Sequence, residues 1–189
     1  MKVDKALYFV ALVPDNPLKQ HITDIKELFR DEYNSKAALR SPPHITLLMP
    51  FKWRVDREQF LSESLSRTAQ NQKVFNITLN GYGAFPPRVI YVNPEPSPEL
   101  LELKKSINSM ALRDWKLTDL LDDRPFHPHM TVAFRDLRKS EFHRAWEKFK
   151  DKNFSGAFEA NNLSLLKHNG KYWEIAEQFY FKKRNSGSE

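Results

Sequence analysis

Two copies of the triplet His-x-Thr are the part of the sequence best suited to chemistry. The first runs from His44 to Thr46 and the second from His129 to Thr131, and a proline precedes each. Six histidines and six threonines among 189 residues would give only about 0.2 such triplets by chance. We therefore interpret the two triplets as a functional motif.

Both triplets stand in short apolar segments typical of β-strands, over residues 44–51 and 129–134. Side chains at positions i and i+2 share one face of a strand, so the histidine and threonine of each triplet point to the same side. Their apolar neighbours, such as Ile45 and Met130, then point into a core. The two polar pairs are predicted to line a cleft.

Two histidines on opposite sides of one cleft suit displacement at phosphorus. Nucleophile and leaving group lie roughly in line, so one imidazole takes up a proton while the other donates one on the far side. An ordinary pKa near 6.5 lets a neutral and a protonated histidine coexist near neutrality. His44 and His129 are thus predicted to form an acid–base pair. Thr46 and Thr131 are predicted to donate hydrogen bonds to the non-bridging phosphoryl oxygens.

Composition narrows the classes of function and partner. The chain contains no cysteine, which excludes disulfides, thiolate metal sites and cysteine nucleophiles and fits a reducing compartment. A net charge of +6 favours an anionic partner. The apolar stretch 6–13 reads as a buried strand rather than a signal peptide, and no segment is long enough to span a membrane. We expect a cytoplasmic monomer.

The rest of the sequence alternates between segments with the hydrophobic periodicity of a helix and segments with that of a strand. Helices are expected to begin near Pro17, Asp56, Ser97 and Ser140. Strands are expected at 5–13, 44–51, 74–79, 82–85, 89–92, 129–134, 158–166 and 172–181, with a hairpin turn at 169–170.

The spacing of these elements indicates a duplication. Leu7 in the first strand lies 37 residues before His44, and Ile90 in a later strand lies 39 residues before His129. The predicted fold class is α+β: two pseudo-symmetric lobes, each with an antiparallel sheet and helices packed outside, and an active-site cleft between them. The lobes are placed at about 1–87 and 88–181 within a single domain of residues 1–181. Residues 182–189 are expected to be a polar tail.

The triplets, the first strand at 8–12, the strand at 88–91 and the segment 126–133 resemble the 2H phosphoesterase superfamily, and within it the 2'-5' RNA ligase-like and cyclic phosphodiesterase proteins. The resemblance covers about residues 5–181. It implies a bilobal fold, no required metal or other cofactor, and hydrolysis or transfer at 2',3'-cyclic phosphates or 2'-5' linkages of RNA or nucleotides. Carried over by position, it makes His44 and His129 the acid–base pair and Thr46 and Thr131 the phosphate ligands.

One basic residue departs from the family pattern. A basic side chain commonly follows the strand of the second triplet, but Phe134 stands there and Arg135 comes one place later. Strand alternation would turn Arg135 to the other face unless a bulge intervenes. Arg135 is therefore not counted as a phosphate ligand.

Recognition of a base requires aromatic faces near the cleft. Phe51, Tyr172 and Trp173 are candidates by position, and Phe9, Tyr91 and Phe126 are the three that we predict to bind substrate. Core packing is the competing interpretation for all three, since a chain with 13% aromatic residues must bury most of them.

Two other functions stay open at this stage. A metal-dependent hydrolase could use His44, His127 and His129, with Asp122 and Asp123 nearby in sequence. An RNA-binding module could keep the cleft without performing turnover. The motif specifies the chemistry more closely than it specifies the molecule on which that chemistry acts.

Overall fold

The computed structural model describes residues 4–120 and 125–182. Within them the strands and α-helices are, in chain order, β1 (Lys5–Leu12), α1 (Leu18–Tyr33), β2 (Ile45–Arg54), α2 (Glu58–Gln70), β3 (Phe75–Phe85), β4 (Val89–Pro94), α3 (Pro98–Trp115), β5 (Met130–Ala133), α4 (Lys139–Phe149), β6 (Ser155–Ala160), β7 (Asn162–His168) and β8 (Trp173–Tyr180). Short 3₁₀ helices lie at Ala37–Arg40, Val55–Arg57 and Thr118–Leu120. No helix in this described part of the chain is long and apolar enough to cross a membrane.

The strands form two four-stranded sheets, in the orders β2-β1-β7-β8 and β5-β4-β3-β6, and neighbouring strands pair antiparallel. The predicted α+β class with two antiparallel sheets is therefore confirmed. The strands that carry the triplets, β2 and β5, each stand at the edge of their sheet. The two triplet strands therefore occupy equivalent positions in the two sheets, as expected for a duplicated unit.

The predicted boundary between residues 87 and 88 does not coincide with the division between the two sheets. It falls in the turn between β3 and β4, which pair with each other. The chain contains two repeat units, β1-α1-β2-α2-β3 and β4-α3-β5-α4-β7. The units exchange their last strands: β3 of the first pairs with β4 of the second, and β7 of the second pairs with β1 of the first. Each sheet thus contains strands from both halves of the chain.

The strand expected over residues 158–166 is two strands in different sheets. Ala160, at the end of β6, is opposite Phe75, whereas Asn162, at the start of β7, is opposite Tyr180. Only Asn161 separates the two strands, so hydropathy alone does not reveal the crossing. This crossing carries the chain from the second sheet back to the first.

Other boundaries differ for local reasons. Strand β2 continues past Pro50, which an edge strand tolerates because its N–H is not needed for pairing. Strand β3 is one element with a register irregularity near Gly81, whose φ of +65° glycine adopts readily. Asp56 does not cap α2; its carboxylate accepts hydrogen bonds from Arg54.

The main hydrophobic core contains residues of both sheets. It includes one face of β1 and the apolar positions that alternate with the triplet histidines and threonines on β2 and β5. Helix α1 contacts β5 and α3 contacts β2, so each helix packs on the triplet strand of the other repeat. The predicted tail lies outside the described residues apart from Lys182, which pairs with Lys73 in an isolated bridge.

Candidate active site

The two triplets lie at corresponding places, each with its histidine immediately before an edge strand and its threonine on it. The middle residues, Ile45 and Met130, are fully buried in the core. Side chains on either side of them in the triplet therefore face the opposite surface, as the alternation predicted. These partly exposed side chains are His44, Thr46, His129 and Thr131.

A single cleft of about 300 Å³ is lined by all four triplet side chains. Its walls come from both sheets and from the loops before β2 and after β5. In addition to the triplets, they include Phe9, Arg40, Ser41, Phe85, Phe134, Arg135, His168 and Trp173. The predicted meeting of the two triplets at one cleft is present in the fold.

The hydrogen bonds of the two histidines follow the same pattern. Nδ1 of His44 lies 2.7 Å from the carbonyl oxygen of Pro42, and Nδ1 of His129 lies 2.8 Å from that of His127. A carbonyl oxygen can only accept, so Nδ1 carries the proton in both rings. Each Nε2 is thereby left to take up or give a proton.

The pKa of His44 is lowered to about 4, first by burial and then by the positive charges of Lys26 and His129, against the hydrogen bond to Pro42, which raises it. The pKa of His129 is also lowered from 6.5, first by burial and then by His127, against its own backbone hydrogen bond. His44 is therefore neutral near pH 7.

Lys26 is buried beneath the loop that leads to the first triplet, with 2% of its surface exposed. Its Nζ donates hydrogen bonds to the carbonyl oxygens of Ala38 and Ser41, at 3.1 Å each. Burial lowers its pKa to about 7. This lysine fixes the end of the loop three residues before His44.

The start of the same loop is held by Asp136 from the other side of the cleft. One carboxylate oxygen accepts a hydrogen bond from the Ser35 hydroxyl at 2.9 Å, and the other accepts from the backbone N–H groups of Lys36 and Ala37 at 3.0 Å each. The loops flanking the two triplets are therefore joined directly.

Arg135 lines the cleft, contrary to the expectation that it would point away. Strand β5 ends at Ala133, so strand alternation no longer applies two residues later. The backbone at Arg135 has φ +65°, and the N–H of Asp136 donates to the carbonyl oxygen of Phe134 at 2.8 Å, as in a tight three-residue turn. This turn directs the arginine into the cleft.

Aromatic rings stand beside each catalytic candidate. The ring centroid of Phe9 lies 4.8 Å from that of His44 and 4.7 Å from that of Trp173. On the opposite wall the Phe85 ring lies 5.3 Å from His129. Phe9 thus lies where the sequence suggested, and its role in substrate binding stays a prediction.

Tyr91 and Phe126 do not line the cleft, so their predicted contact with substrate is not supported. Tyr91 is 4% exposed, its hydroxyl is 2.8 Å from Nε2 of His127, and a side chain at Gly83 would overlap its ring. Phe126 is half-buried against the core beneath Lys104. Tertiary packing therefore covers the Tyr91 ring almost completely and the Phe126 ring in part.

The metal-site alternative lacks a ligand set in the part of the chain that the structure describes. No three histidine, aspartate or glutamate side chains there are grouped to hold a metal ion. Nε2 of His127 faces the Tyr91 hydroxyl instead of the cleft centre. Asp122 and Asp123 lie outside the described residues.

The cleft is basic. Among its described lining residues are three histidines and two arginines but no carboxylate. Arg40, Phe85 and His168 were not identified from the sequence as cleft residues. Arg40 lies two residues before the Pro42-Pro43 segment that leads into the first triplet, and this proximity in sequence is the signal that points to it.

Comparisons with known proteins agree with this geometry. The sequence-family model that describes the 2'-5' RNA ligase superfamily matches residues 13–171 of this chain. A protein of Geobacillus sp. strain WCH70, named "Putative phosphoesterase", is 28% identical over 91% of this chain and 94% of its own length.

Two solved structures share the fold. The protein TT0787 of Thermus thermophilus has a TM-score of 0.68 at 19% identity, covering 94% of this chain and 99% of its own. Escherichia coli LigT complexed with 3'-AMP has a TM-score of 0.66 at 18% identity, covering 95% and 99%.

Proposed function

Because the chain belongs to the 2'-5' RNA ligase superfamily, we propose that it is a phosphodiesterase acting on 2',3'-cyclic phosphates or 2'-5' phosphodiester linkages of RNA or nucleotides. The observation that carries the proposal is the meeting of two His-x-Thr triplets in one cleft, each with a histidine Nε2 free for proton transfer. In this proposal the reaction proceeds without a metal ion.

His44 acts as the general base. It is neutral near pH 7 because burial and the Lys26 charge lower its pKa to about 4. Its unprotonated Nε2 takes a proton from the attacking water or ribose hydroxyl as the oxygen approaches phosphorus. The Nδ1–H bond to the Pro42 carbonyl keeps the ring in the tautomer that this step needs.

His129 acts as the general acid. Burial and the nearby His127 lower its pKa, but the charge of Lys26, which adds to the lowering at His44, is not among the causes at His129. Its Nε2–H donates the proton to the leaving oxygen on the other side of the phosphoryl group. A bound phosphate favours this protonated form because an anion stabilises an imidazolium.

Thr46 and Thr131 hold the phosphoryl group. Each hydroxyl lies two residues after a catalytic histidine and lines the cleft with it. Donors aimed at the non-bridging oxygens stabilise the charge that develops there in the transition state. A basic lining without carboxylates favours an anionic substrate.

The relatives support this choice of chemistry and ligand class. The curated relative from Geobacillus carries the name of a phosphoesterase. LigT, which shares the fold, was crystallised with 3'-AMP and with ATP. A nucleotide-type ligand for this chain is consistent with both.

The proposal is tested by incubating the purified protein, with EDTA present, with 2',3'-cyclic nucleotides and 2'-5' oligonucleotides, using 3'-5' oligonucleotides for comparison. We expect turnover of at least one of the first two classes. The RNA-binding alternative predicts salt-dependent binding of RNA without product. Folded protein that turns over neither class, or activity lost with EDTA, would contradict the proposal.

A further inference from the structure

Two arginines stand in the cleft besides the four triplet side chains. Arg40 ends the 3₁₀ helix before the first triplet, and Arg135 lies in the turn after the second. Both residues are exposed, whereas the triplet side chains are only partly exposed. The arginines therefore stand at the mouth of the cleft and the triplets at its floor.

Neither guanidinium forms a hydrogen bond or an ion pair with another of the described residues. Other surface arginines do form them, as Arg54 does with Asp56 and Arg30 with Asp31. The cleft lining also offers no carboxylate to pair with either cation. Two positive charges are thus left facing a concave surface, where an anion would meet both.

The position of Arg135 is maintained at a conformational cost. A non-glycine residue with φ +65° is uncommon, and such a conformation persists where its surroundings hold it. Asp136 supplies the restraint through its hydrogen bonds to Ser35, Lys36 and Ala37. The same bonds anchor the start of the short helix that ends at Arg40. One carboxylate thus fixes both arginine-bearing segments.

We infer that Arg40 and Arg135 form a second anion subsite at the cleft mouth, which binds a phosphate group of the substrate other than the one that reacts. This inference rests on the proposed function and adds to it a substrate class, nucleotides or oligonucleotides with at least two phosphates. The reacting phosphoryl group is held at the floor by the threonines. The second phosphate is either a neighbouring internucleotide phosphate or a terminal phosphate.

The test compares kcat/KM for three substrates that share the same reacting group. Adenosine 2',3'-cyclic phosphate has one phosphate, its 5'-phosphorylated form has a second, terminal one, and the dinucleotide ApA with a 2',3'-cyclic end has a second, internucleotide one. Because charge-assisted hydrogen bonds to phosphate are strong, we expect about tenfold higher kcat/KM for at least one of the latter two. The substrate that gains identifies the source of the second phosphate.

The variants Arg40→Gln and Arg135→Gln should each reduce this preference several-fold, and Arg40→Lys should retain part of it. Arg57→Gln is the matched control, because it removes one positive charge from an exposed arginine outside the cleft. It should leave the preference unchanged. A preference that survives in both arginine-to-glutamine variants would overturn the inference.

Equal kcat/KM for all three substrates in the unmodified protein would also overturn the subsite while leaving the proposed function intact. Absence of turnover on all three, together with no turnover of 2'-5' oligonucleotides, would instead refute the proposed function. The two failures are therefore distinguishable in one set of assays.

Discussion

The carboxylate of Asp136 accepts a hydrogen bond from the hydroxyl of Ser35 at 2.9 Å, across an interval of 101 residues. Asp136 follows the second triplet, and Ser35 begins the loop that leads to the first. The in-line displacement that we propose would require the two histidines to keep fixed positions on either side of phosphorus. This contact holds together the loops that border them.

Replacing Asp136 by alanine should lower both stability and activity. The fully buried Ser35 would lose its partner, and the N–H groups of Lys36 and Ala37 would lose their acceptor. We expect the free energy of unfolding to fall by about 2 kcal/mol, as for other losses of buried or capping acceptors. Urea unfolding measures this change, and kcat/KM should fall with it.

Asp136→Asn, which keeps one acceptor oxygen, should lose less than Asp136→Ala. Asp151→Ala, at an exposed carboxylate, serves as the control and should change stability little. An Asp136→Ala protein as stable as the unmodified one would show that the bond between the loops is not energetically significant.

Activity should peak on the acidic side of pH 6.5. The base must be unprotonated, so kcat/KM falls below about pH 4 as His44 takes up a proton. The acid must be protonated, so kcat/KM also falls as the pH rises through the pKa of His129, which burial holds below 6.5. A bound phosphate raises both pKa values, so the kcat profile should lie at higher pH. A kcat/KM that still increases between pH 7 and 8 would contradict these roles.

Lys26 should make stability depend on pH. Its pKa is about 7 in the folded protein and near 10.5 when exposed. Between these values the unfolded chain binds a proton that the folded chain does not, so stability should rise with pH from 7 to 10. Thermal or urea unfolding across this range should show a smaller rise in Lys26→Met than in the unmodified protein.

Lys105→Met, which replaces an exposed lysine on α3, is the control for this measurement. That variant should show the same pH dependence as the unmodified protein. Parallel curves for Lys26→Met and the unmodified protein would mean that Lys26 stays protonated in the fold.

The threonine hydroxyls should matter in the transition state more than in substrate binding. Thr46→Val and Thr131→Val keep the side-chain shape and remove the donor. We expect kcat to fall by about tenfold to a hundredfold for each, with KM little changed. Thr68→Val, whose hydroxyl donates to Ser64 on α2 away from the cleft, is the control. An increase in KM at constant kcat would assign the threonines to ground-state binding alone.

Periodicity and motif spacing predicted the local features well. The alternation within each triplet correctly predicted that Ile45 and Met130 enter the core. Ser97 caps α3 through a hydrogen bond from the N–H of Leu100, as its place before Pro98 indicated. These features depend on neighbours within a few residues, which the sequence displays directly.

Features set by distant contacts were not predictable in the same way. The exchange of β3 and β7 between the repeats depends on pairing between segments far apart in the chain. The position of Arg135 depends on a turn that Asp136 holds through the loop at 35–37. The hydropathy pattern of the sequence does not predict either contact.

The aromatic residues illustrate the same limit. Phe9 and Tyr91 both lie on strands, on the faces that carry the threonines of the triplets, and both rings are nearly inaccessible. Phe9 still borders the cleft beside His44, whereas Phe85 covers Tyr91. Which ring ends at the surface of the cleft is decided by packing between elements, here by the turn that places Phe85 on top.

The central claim, that His44 and His129 form one acid–base pair, is tested most directly by kcat/KM for a 2',3'-cyclic nucleotide in His44→Ala and His129→Ala. His143→Ala, at an exposed histidine on α4, is the control, and circular dichroism checks folding. We expect each cleft variant to lose about two to four decades of activity while the control loses none. Full activity in both cleft variants would contradict the mechanism.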